Sequence, residues 1–135
     1  MWSSRNQRPP TRPDATTKAR GDAAEDAALV HLRHHGLALV QRNFRTPGRG
    51  GGEVDLIMRE PDGTLVFVEV RQRASACQGG AGASITGVKQ RRVVLAARHF
   101  LLRLGSEPPC RFDVVLLEGG RIEWLRAAFD ASTAF

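Results

Sequence analysis

The segment that most constrains the fold is a short apolar run, residues 65–70, whose only charged member is Glu69. Successive side chains of a strand point to opposite faces, so a strand that is apolar on both faces has to be covered on both sides. The run therefore predicts the central strand of a sheet with helices packed above and below it. A carboxylate inside such a strand is costly unless a cation or hydrogen bonds hold it, so Glu69 also marks a candidate site.

The periodicity of the remaining chain completes an α/β domain. Helical spacing of apolar residues begins at Gly21 and ends at Gly36, and it recurs from about residue 88 to residue 104. Strand-like segments lie between and after these helices, separated by turns that contain Gly or Pro. The expected strands are residues 37–45, 53–59, 64–71, 111–117 and 121–125, which gives the order α-β-β-β-α-β-β.

Residues 1–20 differ in composition from the rest of the chain. They are rich in Pro, Arg, Ser and Thr and poor in apolar side chains, which is typical of a disordered basic tail. We therefore expect residues 21–135 to form a single domain. The tail holds five basic side chains and one acid, whereas the remainder holds fifteen and thirteen. The domain itself is nearly balanced, so the formal charge of +6 does not by itself establish a nucleic-acid partner.

No segment of the sequence has the pattern of a membrane span or a secretory signal. There is no run of about eighteen apolar residues, and the N-terminal region lacks an apolar stretch. Cys77 and Cys110 occur without a paired-cysteine motif, which favours two ordinary thiols in a reducing compartment over a disulfide. We expect a cytoplasmic protein that does not engage a membrane.

Three acids from three predicted elements can converge on one site. Glu25 lies on the apolar stripe of the first helix, seven residues before Leu32. In the third strand, Glu69 shares its face with Phe67 and Arg71. Alternation in the second strand predicts one face with Glu53, Asp55 and Ile57 and the opposite face with Val54, Leu56 and Met58. Glu25, Asp55 and Glu69 are therefore expected to lie together.

Such a cluster of carboxylates has two physical explanations. Like charges repel one another, and Mg²⁺ takes oxygen ligands while keeping waters for chemistry, so the acids can form a cation site. Alternatively the acids are structural, with Glu69 paired to Arg71 or Arg73 and Asp55 paired to Arg45. The pattern alone favours neither explanation.

Several motifs, in a fixed order, resemble one bacterial family. They are Gly52-Glu53-Val54-Asp55-Leu56-Ile57, Phe67-Val68-Glu69-Val70-Arg71, Lys89, Arg111-Phe112-Asp113-Val114-Val115 and Ala128-Phe129. Over about residues 18–130 the sequence resembles the YraN family, which is similar to archaeal Holliday junction resolvases and to the PD-(D/E)XK nucleases. The resemblance implies a restriction-endonuclease-like core, with a mixed central sheet of about five strands flanked by two helices.

The resemblance also implies a metal-dependent nuclease site. In the wider superfamily, acids of the first helix, of the second strand and of the E-x-K element bind the metal, and they correspond here to Glu25, Asp55 and Glu69. The implied cofactor is Mg²⁺ or Mn²⁺, and the implied partner is DNA, including branched or nicked DNA. Glu53 matches a further family position and is expected to support the site. A homodimer is one arrangement that the sequence leaves open.

The E-x-K element of the superfamily reads Glu69-Val70-Arg71 here, so an arginine stands in the position of the lysine. A lysine there can orient or deprotonate water, whereas guanidinium, with a pKa above about 12, cannot act as a base at neutral pH. Arg71 can still stabilise phosphoryl charge. Lys89 is an alternative catalytic lysine, because its helical spacing to Val93 and Phe100 turns it toward the sheet. The other interpretation of Lys89 is a contact to a phosphate or a carboxylate. A site without a competent lysine would make the protein a binder instead of a nuclease.

Basic residues at two loops predict nucleic-acid contacts. Lys89, Arg91 and Arg92 open the second helix, where the helix dipole and the side-chain charges both favour phosphate. Arg49 lies in a Gly-rich loop that suits the close approach of a phosphate. A solvated basic turn without a ligand is equally compatible with these positions.

Other polar residues are interpreted as structural. The histidines of the first helix, His31, His34 and His35, have metal-like spacing, but we expect a polar surface because no carboxylate partner follows them. Asp113 either pairs with the neighbouring arginine or joins the acid cluster, and we interpret it as a supporting, structural residue. Trp124 is expected in the core or at an interface, since no second aromatic residue accompanies it for base stacking.

Three hypotheses of different classes follow. The leading hypothesis is a Mg²⁺-dependent DNA endonuclease, in which Glu25, Asp55 and Glu69 hold the metal and Arg71 or Lys89 contacts the scissile phosphate. The second is a nuclease-like module that binds nucleic acid without cutting it. The third is a protein-interaction domain in which the acids form structural ion pairs.

Overall fold

The computed structural model describes residues 13–73 and 85–131, which form two helices and a five-stranded sheet. The order α-β-β-β-α-β-β and the mixed sheet are those predicted, so the α/β fold is confirmed. The strands lie side by side in chain order, and only the β3–β4 pair is parallel. The elements are α1 (Pro13–His34), β1 (Ala38–Arg45), β2 (Glu53–Arg59), β3 (Leu65–Arg73), α2 (Gly87–Leu104), β4 (Cys110–Glu118) and β5 (Arg121–Phe129).

Helix α1 begins at Pro13, not at Gly21, so residues 13–20 belong to the helix and not to a disordered tail. A proline suits the first turn of a helix because its missing N–H would have no partner there. Lys18 and Asp22, one turn apart, form an exposed ion pair at 3.8 Å across the predicted boundary. Composition misplaced this boundary, since a helical segment rich in polar residues has the composition of a tail. Residues 1–12 of the predicted tail lie outside the described residues.

Strand β3 is the central strand that its apolar run predicted. It lies between β2 and β4, and Val66, Phe67 and Val68 are fully buried. Two core clusters cover its two faces. The α2 cluster contains Phe67 together with Val93, Val94, Ala96 and Ala97 of α2, and the α1 cluster contains Val66 and Val68 together with Ala28, Leu29 and Leu32 of α1.

The sheet divides between β2 and β3, and we call this division the fork. Cα pairing of the two strands covers Leu56–Arg59 of β2 and Leu65–Val68 of β3. Beyond Val68, β3 stays with β4 as far as Arg73, while β2 continues beside β1 to Glu53. The next residues at the fork are therefore Asp55 on one side and Glu69 on the other.

A local irregularity accompanies the fork and corrects one prediction. Leu56 and Met58 pack in the α1 cluster, but Val54, predicted on their face, packs in the α2 cluster with Ile57. Alternation is therefore broken at Asp55. On β1, the residue facing this break is Asn43, which has a φ of 52°. Asparagine tolerates this left-handed conformation better than most residues, so the sequence accommodates the twist.

The loop before β2 is held against α2 by a glycine that cannot be replaced without a clash. A Cβ on Gly52 would lie 2.4 Å from the backbone nitrogen of Ala96 and 2.7 Å from the carbonyl oxygen of Arg92. The amide of Gly52 donates to Thr46 Oγ1 at 2.6 Å, and its carbonyl accepts from the amide of Thr46 at 3.0 Å. These contacts fix the start of β2, and with it the path toward Asp55.

Asp113 is a fully buried carboxylate on β4. Its carboxylate accepts from Arg111 Nε at 3.0 Å, from Trp124 Nε1 at 2.8 Å and from the amide of Ala127 at 2.9 Å. Arg111 also forms an ion pair with Glu60. Of the two partners left open for Asp113, the structure therefore shows the arginine, and the network joins β4 to β5.

Candidate functional site

Asp55 and Glu69 lie at the fork as two buried or half-buried carboxylates, which we call the acid pair. Asp55 Oδ2 accepts a hydrogen bond of 2.8 Å from the amide of Val70, so this carboxylate occupies the place that a β2 carbonyl would take in a continuous ladder. Glu69 is 3% exposed. Burial, followed by the charge of Glu69, raises the pKa of Asp55 from its usual 3.8 to about 6. The site therefore opposes the presence of both negative charges.

Lys89 reaches the acid pair from helix α2, which packs on one face of the sheet. Its Nζ lies 3.1 Å from Glu69 Oε2, and its side chain is 45% exposed. Lys89 is the third residue of α2, which begins at Gly87. Thr86 caps the helix by accepting a 3.2 Å hydrogen bond from the amide of Lys89. The helical spacing that turned Lys89 toward the sheet is thus consistent with its contact to a β3 carboxylate. That carboxylate contact was one of the two interpretations of this lysine.

Glu25 approaches the acid pair from α1, but it is shared with an arginine. Burial and the charge of Asp55 raise the pKa of Glu25, while hydrogen bonds from Arg42 and Asn43 lower it. Arg42, on β1, places one terminal nitrogen 3.4 Å from Glu25 Oε1 and the other 2.8 Å from Asp26 Oδ1. The structure therefore brings Glu25 near Asp55 and holds it in an ion pair.

Arg42 was missed by the sequence analysis. Among the side chains that the structure describes, its Nε is a buried nitrogen without a hydrogen-bond partner. Its position opposite Leu56, whose side chain packs in the α1 cluster, was the available signal. Reading that signal required the pairing register of β1 and β2, which a single sequence does not contain.

The donors at the fork can be compared with the ligands that a divalent cation takes. Within residues 13–73 and 85–131, no three side chains of His, Cys, Asp or Glu are grouped closely enough to hold a metal by themselves. Mg²⁺ is often bound by one or two carboxylates, with water and substrate phosphate completing its shell. The acid pair fits this mode, because a cation would offset both the burial and the repulsion from Glu69 that raise the pKa of Asp55. Glu25 has one carboxylate oxygen, Oε1, in its ion pair with Arg42.

Glu53 takes part in a second charged group beside the acid pair. Arg92 Nη2 lies 2.9 Å from Glu53 Oε1, and Arg45 Nη2 lies 3.7 Å from Glu53 Oε2. We call Arg45 and Arg92 the arginine pair. The structural alternative had assigned Arg45 to Asp55, and the structure places Arg45 on Glu53.

The other residues predicted to contact a phosphate lie on β3, on α2 and in the loop before β2. Arg71 is half-buried on β3, two residues after Glu69 and therefore on the same face. Arg91 is exposed in the first turns of α2, and Arg49 is exposed in the loop that precedes β2. The loop and the start of α2 are neighbours, because Arg92 Nε donates to the carbonyl of Gly51 at 3.3 Å.

The histidines and Trp124 form a separate group, where the end of α1 packs on β5. The ring centroids of His35 and His31 lie 5.5 Å and 6.4 Å from that of Trp124, and Arg126 covers the Trp124 ring at 4.0 Å. Burial and the neighbouring histidines lower the pKa of His31. Trp124 packs against the α1 cluster, as its interpretation as a core or interface residue requires.

Two remaining expectations concern cysteines and membranes. Cys110 is a free, exposed thiol, and Cys77 lies outside the described residues. In the part of the chain that the structure describes, neither helix is long and apolar enough to cross a membrane.

Comparison with known proteins identifies the family of the chain. The family described as "Uncharacterised protein family UPF0102" matches residues 24–117. A UPF0102 protein of Albidiferax ferrireducens is 69% identical over 116 residues, which cover 86% of this chain and 91% of that protein. A UPF0102 protein of Polaromonas sp. (strain JS666) is 59% identical over 149 aligned positions, which cover 98% and 100% of the two chains. The chain therefore belongs to the uncharacterised protein family UPF0102, the YraN family whose motifs its sequence carries.

Proposed function

We propose that this protein is a Mg²⁺- or Mn²⁺-dependent nuclease that hydrolyses phosphodiester bonds in DNA. One observation carries the proposal: two carboxylates, Asp55 and Glu69, meet at the fork of the sheet, and the ammonium of Lys89 lies 3.1 Å from the second. Two acids and a lysine at one point are the groups that metal-assisted phosphoryl transfer uses. The fold and the family are established, whereas this activity is our inference from the geometry.

Each residue of the site has a distinct proposed role. Asp55 and Glu69 would hold the cation, which when bound would withdraw charge from a phosphoryl oxygen and increase the acidity of water. Lys89 keeps Glu69 in place and presents an ammonium at the exposed side of the acid pair, where it can hold a phosphate or orient a water. Arg71 can stabilise negative charge on the phosphate but cannot remove a proton near neutral pH.

Branched or nicked DNA is the substrate class that we propose, on the basis of the family resemblance. A cytoplasmic location, expected from the sequence, would give the protein access to bacterial DNA. The deciding experiment offers end-labelled four-way junctions, nicked duplexes and intact duplexes to the purified full chain in Mg²⁺ and in Mn²⁺. We expect cleavage of at least one substrate by the wild type, and none by Glu69→Gln, which keeps the shape of the side chain but removes its charge.

A second candidate function is binding of nucleic acid without cleavage. The observation that favours it is the combination of Arg71 at the E-x-K position with a Lys89 already paired to Glu69. A protein of this kind would bind the same labelled DNA with a strong dependence on salt and would leave it intact in both metals. If the protein binds DNA and Mn²⁺ but leaves every substrate intact, binding without cleavage would replace the nuclease proposal.

A further inference from the structure

Two arginines from different elements converge on the carboxylate of Glu53, the first residue of β2. Arg92 comes from α2 and Arg45 is the last residue of β1. The contacts leave both guanidinium groups open to solvent, since 44% of the Arg92 side chain and 69% of the Arg45 side chain are exposed. Exposed ion pairs of this kind contribute little to stability, so stability alone does not account for two arginines on one acid.

The backbone around Glu53 fixes where the arginine pair points. Arg92 Nε donates to the carbonyl of Gly51 at 3.3 Å, which ties α2 to the loop before β2. Gly52 packs so closely on α2 that a Cβ would overlap with Ala96. Arg45 faces Glu53 directly in the β1–β2 register. The two guanidinium groups are thus held in a defined arrangement.

The group keeps the capacity to bind an anion. Two cations around one carboxylate leave a net positive charge. A guanidinium has five N–H donors, and the contacts of Arg92 to Gly51 and Glu53 engage two of its three nitrogens. Glu53 lies two residues before Asp55, roughly 7 Å along the strand, so an anion held here would sit beside the acid pair.

We propose that the arginine pair, aligned by Glu53, binds a backbone phosphate of a nucleic acid next to the acid pair. Arg45 and Arg92 are the contacting residues, and Glu53 is a positioning residue, not a ligand of the cation. The proposal takes its ligand class from the proposed function, but it requires binding only and not cleavage. Arginine suits the role because its planar fork of donors matches phosphate oxygens in pairs.

The first experiment measures the anisotropy of fluorescent DNA and RNA hairpins, without divalent metal, over a series of salt concentrations. Arg45→Ala and Arg92→Ala should each weaken binding and reduce the slope of log K against log salt by about one. Arg33→Ala is the matched control, since it removes the same charge from an exposed position at the end of α1. Equal effects of all three variants would overturn the proposal, because binding would then depend on total charge.

Two further variants separate charge from geometry. Arg45→Lys and Arg92→Lys keep the positive charge but lose the paired donors, so they should restore the salt slope without restoring the full affinity. Wild-type affinity for the lysine variants would show that only charge matters and would contradict the pairing of donors. Circular dichroism melting of every variant ensures that a folded protein is compared.

Glu53→Gln gives the sharpest test of the positioning role. Removal of a negative charge should tighten the binding of a polyanion if only charge matters, as we expect for the control Glu123→Gln on β5. If Glu53 aligns the arginine pair, Glu53→Gln should instead weaken binding. Tighter binding by Glu53→Gln than by Glu123→Gln would overturn the positioning role.

The outcomes distinguish this proposal from the proposed function. If the wild type cuts DNA, but Arg45→Ala and Arg92→Ala bind the hairpins as well as the wild type does, only the proposed phosphate site would be overturned. If the wild type never cuts DNA, but Arg45→Ala and Arg92→Ala both bind the hairpins more weakly than the wild type, only the nuclease proposal would be overturned. Inorganic phosphate serves as a competitor, and displacement of the hairpin at low concentration would reassign the site to free phosphate and overturn the nucleic-acid ligand.

Discussion

The carboxylate of Asp55 serves both the sheet and the candidate site. Its Oδ2 accepts from the amide of Val70 at the point where β2 leaves β3. Burial, followed by the charge of Glu69, raises the pKa of Asp55 to about 6. The acceptor stabilises the end of the ladder, whereas the charge opposes folding. A substitution that separates these two properties therefore tests the electrostatics of the site.

Asp55→Asn should stabilise the metal-free protein at pH 7.5 by an amount on the order of 2 kcal/mol, because asparagine keeps an acceptor for Val70 and removes the charge. The sign follows from the raised pKa. The carboxylate takes up a proton more readily in the folded state, so the wild type loses stability as pH rises from about 4 to about 6. Denaturant unfolding in EDTA measures the difference, which should vanish near pH 4. Asp55→Ala is the control, since it also removes the acceptor and leaves the Val70 amide unpaired.

Lys89 and Arg71 should respond in opposite ways to substitution, depending on which one acts in the reaction. If Lys89 is the active lysine, Lys89→Met should abolish cleavage with a modest loss of DNA affinity, and Arg71→Lys should change little. If Arg71 has inactivated the site, the wild type should not cut, and Arg71→Lys should restore cleavage. Cleavage of the labelled substrates in Mn²⁺ decides between them. No cleavage by any of the three proteins would contradict the nuclease proposal.

Gly52→Ala should destabilise the protein by about 2 kcal/mol or more, because the added Cβ meets backbone atoms of α2 at 2.4 Å and 2.7 Å and these cannot rotate away. Thermal melting gives the change in stability. A melting temperature equal to that of the wild type would show that α2 can move away from the β2 loop. That result would also weaken the argument that this contact fixes the arginine pair.

The residues of the site differ in how far the sequence could predict them. Glu69 was recognisable because a carboxylate in an apolar strand is conspicuous in a single segment. Glu25 and Lys89 followed from helical spacing. Arg42 and the sharing of Glu53 by two arginines were not predictable, because they depend on which residues of β1 and β2 face each other. Strand register is a property of two segments and not of one.

At the scale of elements, α1 shows how composition can mislead. The helix runs through Gly21, although glycine is poorly suited to a helix interior and had been taken as its start. Gly21→Ala should therefore stabilise the protein by about 0.5 to 1 kcal/mol, since the position is exposed and a Cβ would meet nothing within 4 Å. Chemical denaturation measures the gain. A loss of stability would indicate that residues before Gly21 do not remain helical in solution.

The strands and α2 were predictable to within a few residues, whereas the fork was not. Apolar alternation and the glycines between elements are local signals, and in the structure Gly63 and Gly119 lie in turns between strands while Gly105 caps α2. The change of face at Asp55 results from a break in pairing with β3 and a left-handed residue, Asn43, on β1. Neither feature changes the hydrophobic pattern of β2. The sequence therefore predicted regular alternation through Asp55, where the strand changes face.

Considered as a whole, the molecule assembles its site from both layers that cover the sheet. Glu25 comes from α1, Lys89 from α2, and the acid pair from the strands between them. A stable site therefore requires that both helices are docked. Periodicity pointed to the candidate residues one element at a time, whereas the ion pair of Glu25 with Arg42 also depends on the pairing of β1 with β2.

The N-terminal residues offer a test of charge at the same scale. Because α1 begins at Pro13, a deletion of residues 1–12 leaves the helix intact, whereas the deletion of residues 1–20 that composition suggested would remove its first turns. The shorter deletion removes Arg5, Arg8 and Arg12 and no acid. DNA affinity should fall and the salt slope should decrease by up to about 3. An unchanged slope in fluorescence anisotropy would assign binding to residues 13–135.

The hydrogen bond from Val70 to Asp55 has a consequence for how the site can be observed. On the side of the fork, this amide depends on one side chain and not on a neighbouring strand, so its protection against solvent deuterium follows the state of that side chain. Protonation of Asp55, its engagement by a cation, or its replacement would each alter the exchange rate of a single peptide group within β3. Deuterium exchange at the Val70 amide would thus report whether Asp55 is protonated or bound to a cation, and the measurement needs neither substrate nor turnover.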